Sequence, residues 1–311
     1  YKVSYLYLIW YCFLPGSLAA FLIARCVMVS GKRLLWADEL FTWYSASASF
    51  GGMLSSTTDT INSAPPFYFI VAWFWTALFG NSAVALRLLS TIALVVAIII
   101  MFVVLRRTYG MRAAAVAVAL ALTFSDSNLL YQSSSARFHT LIIAEVALGI
   151  LLYQRMMQRR PSLSLLVANA VVHASMVMTH YFGPLYSGAI LGGVLLTSIF
   201  RRSNPLRPSL SIFAGWLAFL PWIPVFRIHQ QMGKPSFWQA VPDAATLKNY
   251  YSHYFNGDFW LVSKWLALSA IAGVVLAAVY RWGLRRTLGW LGLIRVRELP
   301  LLLLLPGIGL I

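Results

Sequence analysis

The sequence predicts an all-α protein, a polytopic transmembrane helical bundle with interfacial helices in its first external loop. Of its 311 residues, 60% are hydrophobic and only 10% are charged, which is far from the composition of soluble proteins. Several apolar runs reach the roughly 20 residues that a helix needs to cross the hydrocarbon core of a bilayer. Clusters of basic residues recur between these runs, as expected for the loops on one side of a membrane.

Hydropathy divides the chain into a series of predicted spans. They cover residues 3–29, 83–105, 113–131, 138–154, 163–182, 184–200, 209–228 and 259–280, with another beginning near 299. A further apolar run, 65–80, is too short to be assigned by length, so it is either a short span or an aromatic helix in the membrane interface.

We expect a single transmembrane domain over residues 1–311, because no segment has the composition of a soluble domain. Its two long hydrophilic regions are predicted to be a first external loop, 30–82, and a second one, 229–258. The chain begins with Tyr1 and ends in an apolar run too short to span. We therefore expect more sequence at both ends, including further helices after the C-terminus.

Four arginine clusters lie on one side of the predicted bundle, since two spans separate each cluster from the next. They are Arg106, Arg107 and Arg112; Arg155, Arg159 and Arg160; Arg201, Arg202 and Arg207; and the run from Arg281 to Arg297. The positive-inside rule makes this side cytoplasmic. Topology and anionic lipids account for the net charge of +16. Because no groove-binding motif accompanies the bases, we exclude nucleic acid as a partner.

The adjacent acids Asp38 and Glu39 are unusual in this chain, which has eight acidic residues against 24 Lys and Arg. They directly follow the first apolar run, where a solvated turn and a functional site are both plausible. If residues 65–80 cross the membrane, the pair lies opposite Arg137; if that run is interfacial, all three share one side. Charge and hydropathy leave both topologies open.

The motifs around this pair resemble those of a known family. They are Arg-Leu-Leu-Trp-Ala-Asp-Glu at 33–39, Ala-Pro-Pro-Phe-Tyr at 64–68, Phe-Gly at 79–80, Arg-Leu at 87–88, Ser-Ala-Arg-Phe at 135–138 and Thr-His-Tyr-Phe-Gly at 179–183. Their order is similar to that in bacterial GT-C membrane glycosyltransferases of family 39, the protein O-mannosyltransferase and aminoarabinose transferase group. The resemblance covers about residues 30–190. One departure is Ala64, where many members have histidine.

The resemblance implies a GT-C bundle in which the 65–80 element stays at the outer face. Asp38, Glu39 and Arg137 then share one compartment. It also implies a polyprenyl-phosphate sugar as donor. The acceptor must lose a proton as it attacks the anomeric carbon, so Asp38 is predicted as general base, with Glu39 orienting it or binding acceptor. Arginines suit the phosphate leaving group, and Arg137 and Arg87 are predicted to bind it.

Further predicted substrate contacts follow from the same motifs and the outer loops. They are Pro65, Pro66, Tyr68, His180, Tyr181 and Asp126. Lys32 and Arg33 are interpreted as contacts to lipid head groups. No tight ligand spacing supports a metal, so we predict no cofactor, although a divalent ion near Asp126 stays an alternative.

The combined prediction is an inverting, multi-pass glycosyltransferase of the bacterial inner membrane, with its active site facing the periplasm. Its predicted partners are a polyprenyl-phosphate sugar and membrane lipid; the sugar, the acceptor and the oligomeric state stay open. One alternative is a transporter or flippase, which the mid-span Glu145 would suit, although no internal repeat is evident. Another is a non-catalytic subunit that retains the fold.

Overall fold

The computed structural model describes residues 5–58, 64–111, 114–115, 118, 131–158, 161–201 and 203–236. The chain divides into two compact units, Tyr1–His229 and Gln230–Ile311, and almost all described residues belong to the first. The predicted span 259–280, nearly all of the predicted span 113–131 and most of the predicted 229–258 loop lie outside the described residues. The single-domain prediction therefore stays a prediction.

The described residues form helices and no strand. They are α1 (Tyr5–Ser30), α2 (Ala37–Ser47), α3 (Phe50–Thr58), α4 (Phe67–Phe79), α5 (Ala83–Tyr109), α6 (His139–Gln158), α7 (Leu163–Thr179), α8 (Gly183–Arg201), α9 (Leu206–Trp216), a 3-10 helix (Leu217–Trp222) and α10 (Ile223–Ser236). Four segments in this part of the chain are long and apolar enough to cross a membrane: Ala83–Tyr109, His139–Met157, Gly183–Arg201 and Leu206–Gln231. The predicted class, an all-α polytopic membrane protein, is confirmed.

Local signals explain the ends of α5, the longest of these spans. Ser82 precedes the helix and its hydroxyl accepts a hydrogen bond from the Ala85 N–H at 3.2 Å, which satisfies a free backbone donor. The helix ends at Gly110, whose φ of +88° suits glycine. Arg106 and Arg107 occupy the last turn, where positive charge is favourable. The site described below lies at the opposite end of α5.

The last described span changes helix type midway. The predicted span 209–228 reads as one apolar run, but Leu217–Trp222 forms a 3-10 helix between α9 and α10. Pro221 lies in this turn and has no N–H for an α-helical hydrogen bond. The proline therefore explains the local change in winding.

The helix α4 stays at one end of the bundle. Its 13 residues cover about 20 Å, less than the roughly 30 Å of a bilayer core. Trp73 Nε1 donates to the Ala48 carbonyl at 2.9 Å and Trp75 Nε1 donates to the Ala85 carbonyl at 2.7 Å. One short helix thus contacts both the residue that follows α2 and the start of α5. The interfacial interpretation of residues 65–80 stays a prediction.

Gly215 allows α7 and α9 to pack closely. A Cβ atom at this position would lie 2.5 Å from the Ala170 carbonyl oxygen and 2.8 Å from the His173 Cβ. Small residues let helix backbones approach in this way in membrane proteins. Asn169 Nδ2 of α7 donates to the Ser211 hydroxyl of α9 at 2.9 Å across the same contact.

We expect Gly215→Ala to lower the free energy of unfolding by about 1–3 kcal/mol, since the added methyl group must push α7 and α9 apart. The measurement is the unfolding midpoint in mixed detergent micelles. Gly192→Ala is the matched control, because nothing lies within 4 Å of a Cβ atom there. Equal midpoints for the two variants would contradict the close packing.

Candidate active site

A buried ion pair between Glu39 and Arg87 lies inside the first external loop. Glu39 is in the first turn of α2 and Arg87 is near the start of α5. The Arg87 Nη2 donates to Glu39 Oε2 at 2.6 Å, and its Nε donates to Oε1 at 2.9 Å. Neither side chain has exposed surface. This bidentate contact ties α2 to α5.

Arg87 also binds the chain that leads into α2. Its Nη1 donates to the carbonyls of Arg33 at 2.8 Å and Ser30 at 3.4 Å, and its Nη2 donates to the Leu34 carbonyl at 2.9 Å. All three nitrogens of the guanidinium therefore have partners. In this arrangement Arg87, which was predicted to bind the donor phosphate, offers no exposed atom to a phosphate.

Further donors hold Glu39 in its ionised form. Oε1 accepts from the Ala136 N–H at 2.8 Å and from Arg33 Nη2 at 3.3 Å, and Oε2 accepts from the Trp36 N–H at 3.3 Å. Burial alone would raise the pKa of Glu39, but the hydrogen bonds from Arg87 and Ala136 lower it below its ordinary value. Both oxygens are occupied, so the carboxylate joins α2, α5 and the segment before α6.

Asp38 has a different environment from its neighbour. Its side chain is 42% exposed, and its Oδ2 lies 3.4 Å from Arg137 Nη2. The Arg137 Nη1 also donates to the Asp38 carbonyl at 3.1 Å. Adjacent positions on a helix point about 100° apart, so one acid of the pair is buried and the other reaches the surface. Asp38 and Arg137 are therefore in contact at one end of the bundle.

Arg137 is positioned by hydroxyl groups of α5. The Ser90 hydroxyl donates to the Arg137 carbonyl at 3.0 Å, and the Thr91 hydroxyl donates to the Ser133 carbonyl at 2.7 Å. The guanidinium carbon lies 5.0 Å from the centre of the Phe138 ring, within the range of a cation–π contact. The side chain is only 16% exposed. Arg137 is thus a partly buried cation at the mouth of the site.

One donor of Arg137 is left without a protein partner. Its Nη atoms contact Asp38, whereas its Nε is buried and makes no hydrogen bond to any residue that the structure describes. A buried N–H without a partner is unfavourable. The oxygen of a bound phosphate or carboxylate beside the guanidinium would satisfy it.

His180 lies at the same end, between α7 and α8 and outside both helices. Its ring stacks on Phe138 with 4.4 Å between the ring centres. The Phe182 N–H donates to His180 Nδ1 at 3.1 Å, so the proton of the neutral ring is on Nε2. Burial, and then the charge of Arg137, lower the pKa of His180 to about 4. At pH 7 the residue is a neutral imidazole with Nε2–H as its donor.

The predicted contacts at the start of α4 are packing residues in the structure. Pro65 and Pro66 are buried, and Tyr68 packs edge-to-face on Phe138 at 6.2 Å between ring centres. Ala64 is buried in the same hydrophobic cluster. Being buried, these residues leave little surface for a substrate.

Tyr181 is held by the last described span. Its hydroxyl is hydrogen-bonded to His229 Nδ1 at 2.6 Å and accepts from Trp222 Nε1 at 3.3 Å. Burial raises the pKa of Tyr181 above its ordinary value. The predicted substrate contact thus has two protein partners, which connect the α7–α8 loop to α10.

Asp126 lies outside the described residues, so its predicted contact with substrate or a divalent ion has no structural counterpart here. Within the described part of the chain, no three His, Cys, Asp or Glu side chains come together as metal ligands. The prediction that the protein needs no metal stays a prediction.

Sequence reasoning missed two parts of this site. Arg33 was interpreted as a head-group contact, yet its Nη2 donates to the Ser134 carbonyl at 2.8 Å and contacts Glu39. Phe138 was noted only as part of a motif, yet both Arg137 and His180 pack on its ring. Spacing in the sequence does not indicate the contacts of Arg33 with Ser134 and of Phe138 with His180, because these partners are about 100 and about 40 residues apart in the chain.

Comparison with known families identifies the family of the chain. The family model described as dolichyl-phosphate-mannose-protein mannosyltransferase matches residues 63–227, more than half of the chain. The protein is therefore a membrane glycosyltransferase of the GT-C type. The chain belongs to the dolichyl-phosphate-mannose-protein mannosyltransferase family, which confirms the resemblance found in the sequence. No curated protein and no solved structure matches the chain.

We expect Glu39→Gln and Arg87→Met each to lower the free energy of unfolding by about 3–5 kcal/mol, because each leaves the remaining partner as a buried charge without an opposite charge beside it. The double variant should lower the free energy of unfolding by clearly less than the sum of the two single effects, since neither buried charge then remains. Unfolding is followed in mixed detergent micelles, with Arg107→Met at the far end of α5 as control. Additive effects of the two substitutions would rule out the coupling.

We expect Arg137→Gln to raise the pKa of His180 from about 4 towards its ordinary 6.5, because one of the two causes of the shift is removed while burial remains. An NMR titration of protein with labelled histidine rings measures this. Arg107→Gln should leave the His180 pKa unchanged. A wild-type His180 that already titrates near 6.5 would show that the ring is not buried beside Arg137.

Proposed function

We propose that this protein is an inverting glycosyltransferase that moves a sugar from a polyprenyl-phosphate donor to an acceptor hydroxyl or amine. Asp38 is the general base and Arg137 binds the phosphate of the donor. The acceptor and the sugar are open; the family description makes mannose the first sugar to test.

The observation that carries this proposal is the contact of Asp38 with Arg137. A half-exposed carboxylate and a partly buried guanidinium lie side by side, 3.4 Å apart. A transfer from a phosphate-linked donor needs one group that takes a proton and another that meets negative charge. The carboxylate is 42% exposed and the pair is 3.4 Å long, and partly exposed ion pairs contribute little stability, so a substrate can separate the two side chains at low cost.

The environments of the two acids favour Asp38 over Glu39 as the base. Glu39 accepts from Arg87, Ala136 and further donors, and has no exposed surface. A carboxylate that is fully occupied cannot also receive a proton from a substrate without losing these bonds. Asp38 has free surface for an acceptor, so Glu39 is assigned the role of positioning α2, on which Asp38 lies.

The reaction is a single displacement at the anomeric carbon. The acceptor oxygen or nitrogen forms a bond to this carbon while its proton moves to the Asp38 carboxylate. The bond between the anomeric carbon and the phosphate oxygen breaks, and its electron pair stays on the phosphate. Because the acceptor attacks opposite the leaving group, the configuration at the anomeric carbon inverts.

Arg137 and His180 suit the leaving phosphate. The buried Nε of Arg137 needs an acceptor, and fixed donors aimed at developing negative charge accelerate such steps. The neutral His180 ring stacks on Phe138 near this cation and has a proton on Nε2. It can donate to a phosphate or sugar oxygen without competing for the proton of the acceptor.

The proposed site faces the periplasm of a bacterial inner membrane. Asp38, Arg137 and His180 lie at one end of the helices. The arginines at the ends of α5, α6 and α8 lie at the other end, where Arg201 Nη1 donates to the Met157 carbonyl at 2.8 Å. The positive-inside rule assigns the arginine end to the cytoplasm.

We expect Asp38→Asn to lower kcat by about 10²–10⁴-fold, the usual contribution of a general base. Arg137→Gln should lower it by about 10²–10³-fold, as for loss of one donor to a developing anion. The measurement is release of polyprenyl phosphate from polyprenyl-phosphate mannose in membranes that contain the native acceptors.

The unfolding midpoint of each variant serves as a control for the fold, since the Asp38 side chain is 42% exposed and its loss should hardly change stability. Arg107→Gln is the matched change of charge at the other end of α5. Transfer at the wild-type rate by Asp38→Asn would reject Asp38 as the base.

A further inference from the structure

A cavity lies beside the first external loop, at the place where α1 ends and α5 begins. Its volume is about 580 Å³, within the range of about 300–1,000 Å³ of small-ligand pockets. The residues that line it are Ser30, Gly31, Lys32, Arg33, Leu34, Leu35, Leu40 and Ala83. Neither Asp38 nor Arg137 is among them, so the cavity is separate from the proposed transfer site.

The surroundings of the cavity carry excess positive charge. Its lining contains Lys32 and Arg33 and no acid. Arg33 and Arg87 share the single carboxylate of Glu39, so the cluster of these three side chains has a net positive charge even without Lys32. Lys32 is exposed, and its ammonium makes no hydrogen bond or ion pair with the residues that the structure describes. The excess positive charge of the lining favours an anionic ligand.

Four of the other lining residues, Leu34, Leu35, Leu40 and Ala83, are apolar. Leu34 is 90% exposed and Leu40 is 48% exposed. Leu40 belongs to a row on α2 that includes the exposed rings of Trp36, Trp43 and Tyr44, at helical spacing on one face. Tryptophan and tyrosine are typical of the boundary between hydrocarbon and head groups. A ligand of this cavity therefore has an anionic group and an apolar part.

We propose that this cavity binds the phosphate head group of an anionic membrane phospholipid. Lys32 contacts the phosphate, and Leu34 and Leu40 pack against the upper part of the acyl chains. A phosphate held here is not in contact with the Asp38–Arg137 pair, so the lipid is a bound partner and not the sugar donor. The proposal does not depend on the transfer reaction.

The bound lipid would also stabilise the loop that carries Asp38. Arg33 lines the cavity and at the same time contacts Glu39 and donates to the Ser134 carbonyl. Arg33 and Arg87 share the one carboxylate of Glu39, and an anion beside Lys32 and Arg33 reduces the repulsion among these cations. The head group would thus stabilise the segment between α1 and α2.

The test measures binding of short-chain phosphatidylglycerol and phosphatidylcholine to the full chain in an uncharged detergent, by native mass spectrometry. Phosphatidylglycerol should bind more tightly. Lys32→Gln should weaken its binding about fivefold, the typical effect of one basic residue near an anionic lipid. Lys32→Arg should keep the binding. Arg207→Gln is the matched control, because it removes one exposed cation at the start of α9.

Ala83→Phe provides a second variant that fills the cavity and leaves its charge unchanged. It should reduce binding of both phospholipids, with a normal unfolding midpoint. Phosphatidylglycerol should also raise the unfolding midpoint of the wild type more than that of Lys32→Gln. Equal effects of Lys32→Gln and Arg207→Gln would overturn the proposal.

A polyprenyl phosphate distinguishes the two sources of a lipid phosphate. If it binds without displacing phosphatidylglycerol, and if its binding depends on Arg137 and not on Lys32, the two sites are separate as proposed. Displacement of phosphatidylglycerol together with dependence on Lys32 would make the cavity part of the donor site. That result would overturn this inference while leaving the glycosyltransferase proposal intact.

Discussion

The buried ion pair of Glu39 with Arg87 is the contact on which the first external loop depends. Two charges without exposed surface are tolerated only because nearly every lone pair and proton around them is used. Arg87 binds the carbonyls of the chain between α1 and α2, and Glu39 binds the Ala136 N–H. Three segments far apart in the chain therefore meet at one salt bridge, which sets where α2 begins.

The proposed chemistry follows from this anchor. With Glu39 fixed inside, the helical turn directs Asp38 to the surface, where Arg137 meets it. The hydroxyl groups of Ser90 and Thr91 in α5 donate to carbonyls of the segment 133–137 and so position Arg137. One helix thus positions both the acid, through Arg87, and the cation, through its hydroxyl groups. The proposed lipid cavity uses the same cluster, since Arg33 belongs to its lining and to the Glu39 contact.

Some helices and contacts could be predicted from the sequence and others could not. The bounds of α5 and α8 agree with the predicted spans, because a continuous apolar run between charges can cross a bilayer only as a helix that satisfies its own backbone hydrogen bonds. The 65–80 run was ambiguous, since its length permits an interfacial helix or a short span. The hydrogen bonds of Trp73 and Trp75 show which neighbours this helix contacts, Ala48 after α2 and Ala85 in α5, and the sequence did not indicate these contacts. Arg87 was predicted to bind a phosphate, and the sequence did not indicate that its partner is Glu39.

The sequence by itself determined the class of protein, the order of its apolar segments in the described part, and the family. These depend on composition and on local motifs. The tertiary structure decided which of two adjacent acids is buried, because that depends on Arg87, 48 residues away, and on Ala136, 97 residues away. Distant partners set the environment of a charge, and the environment sets whether that charge supports the fold or faces a substrate.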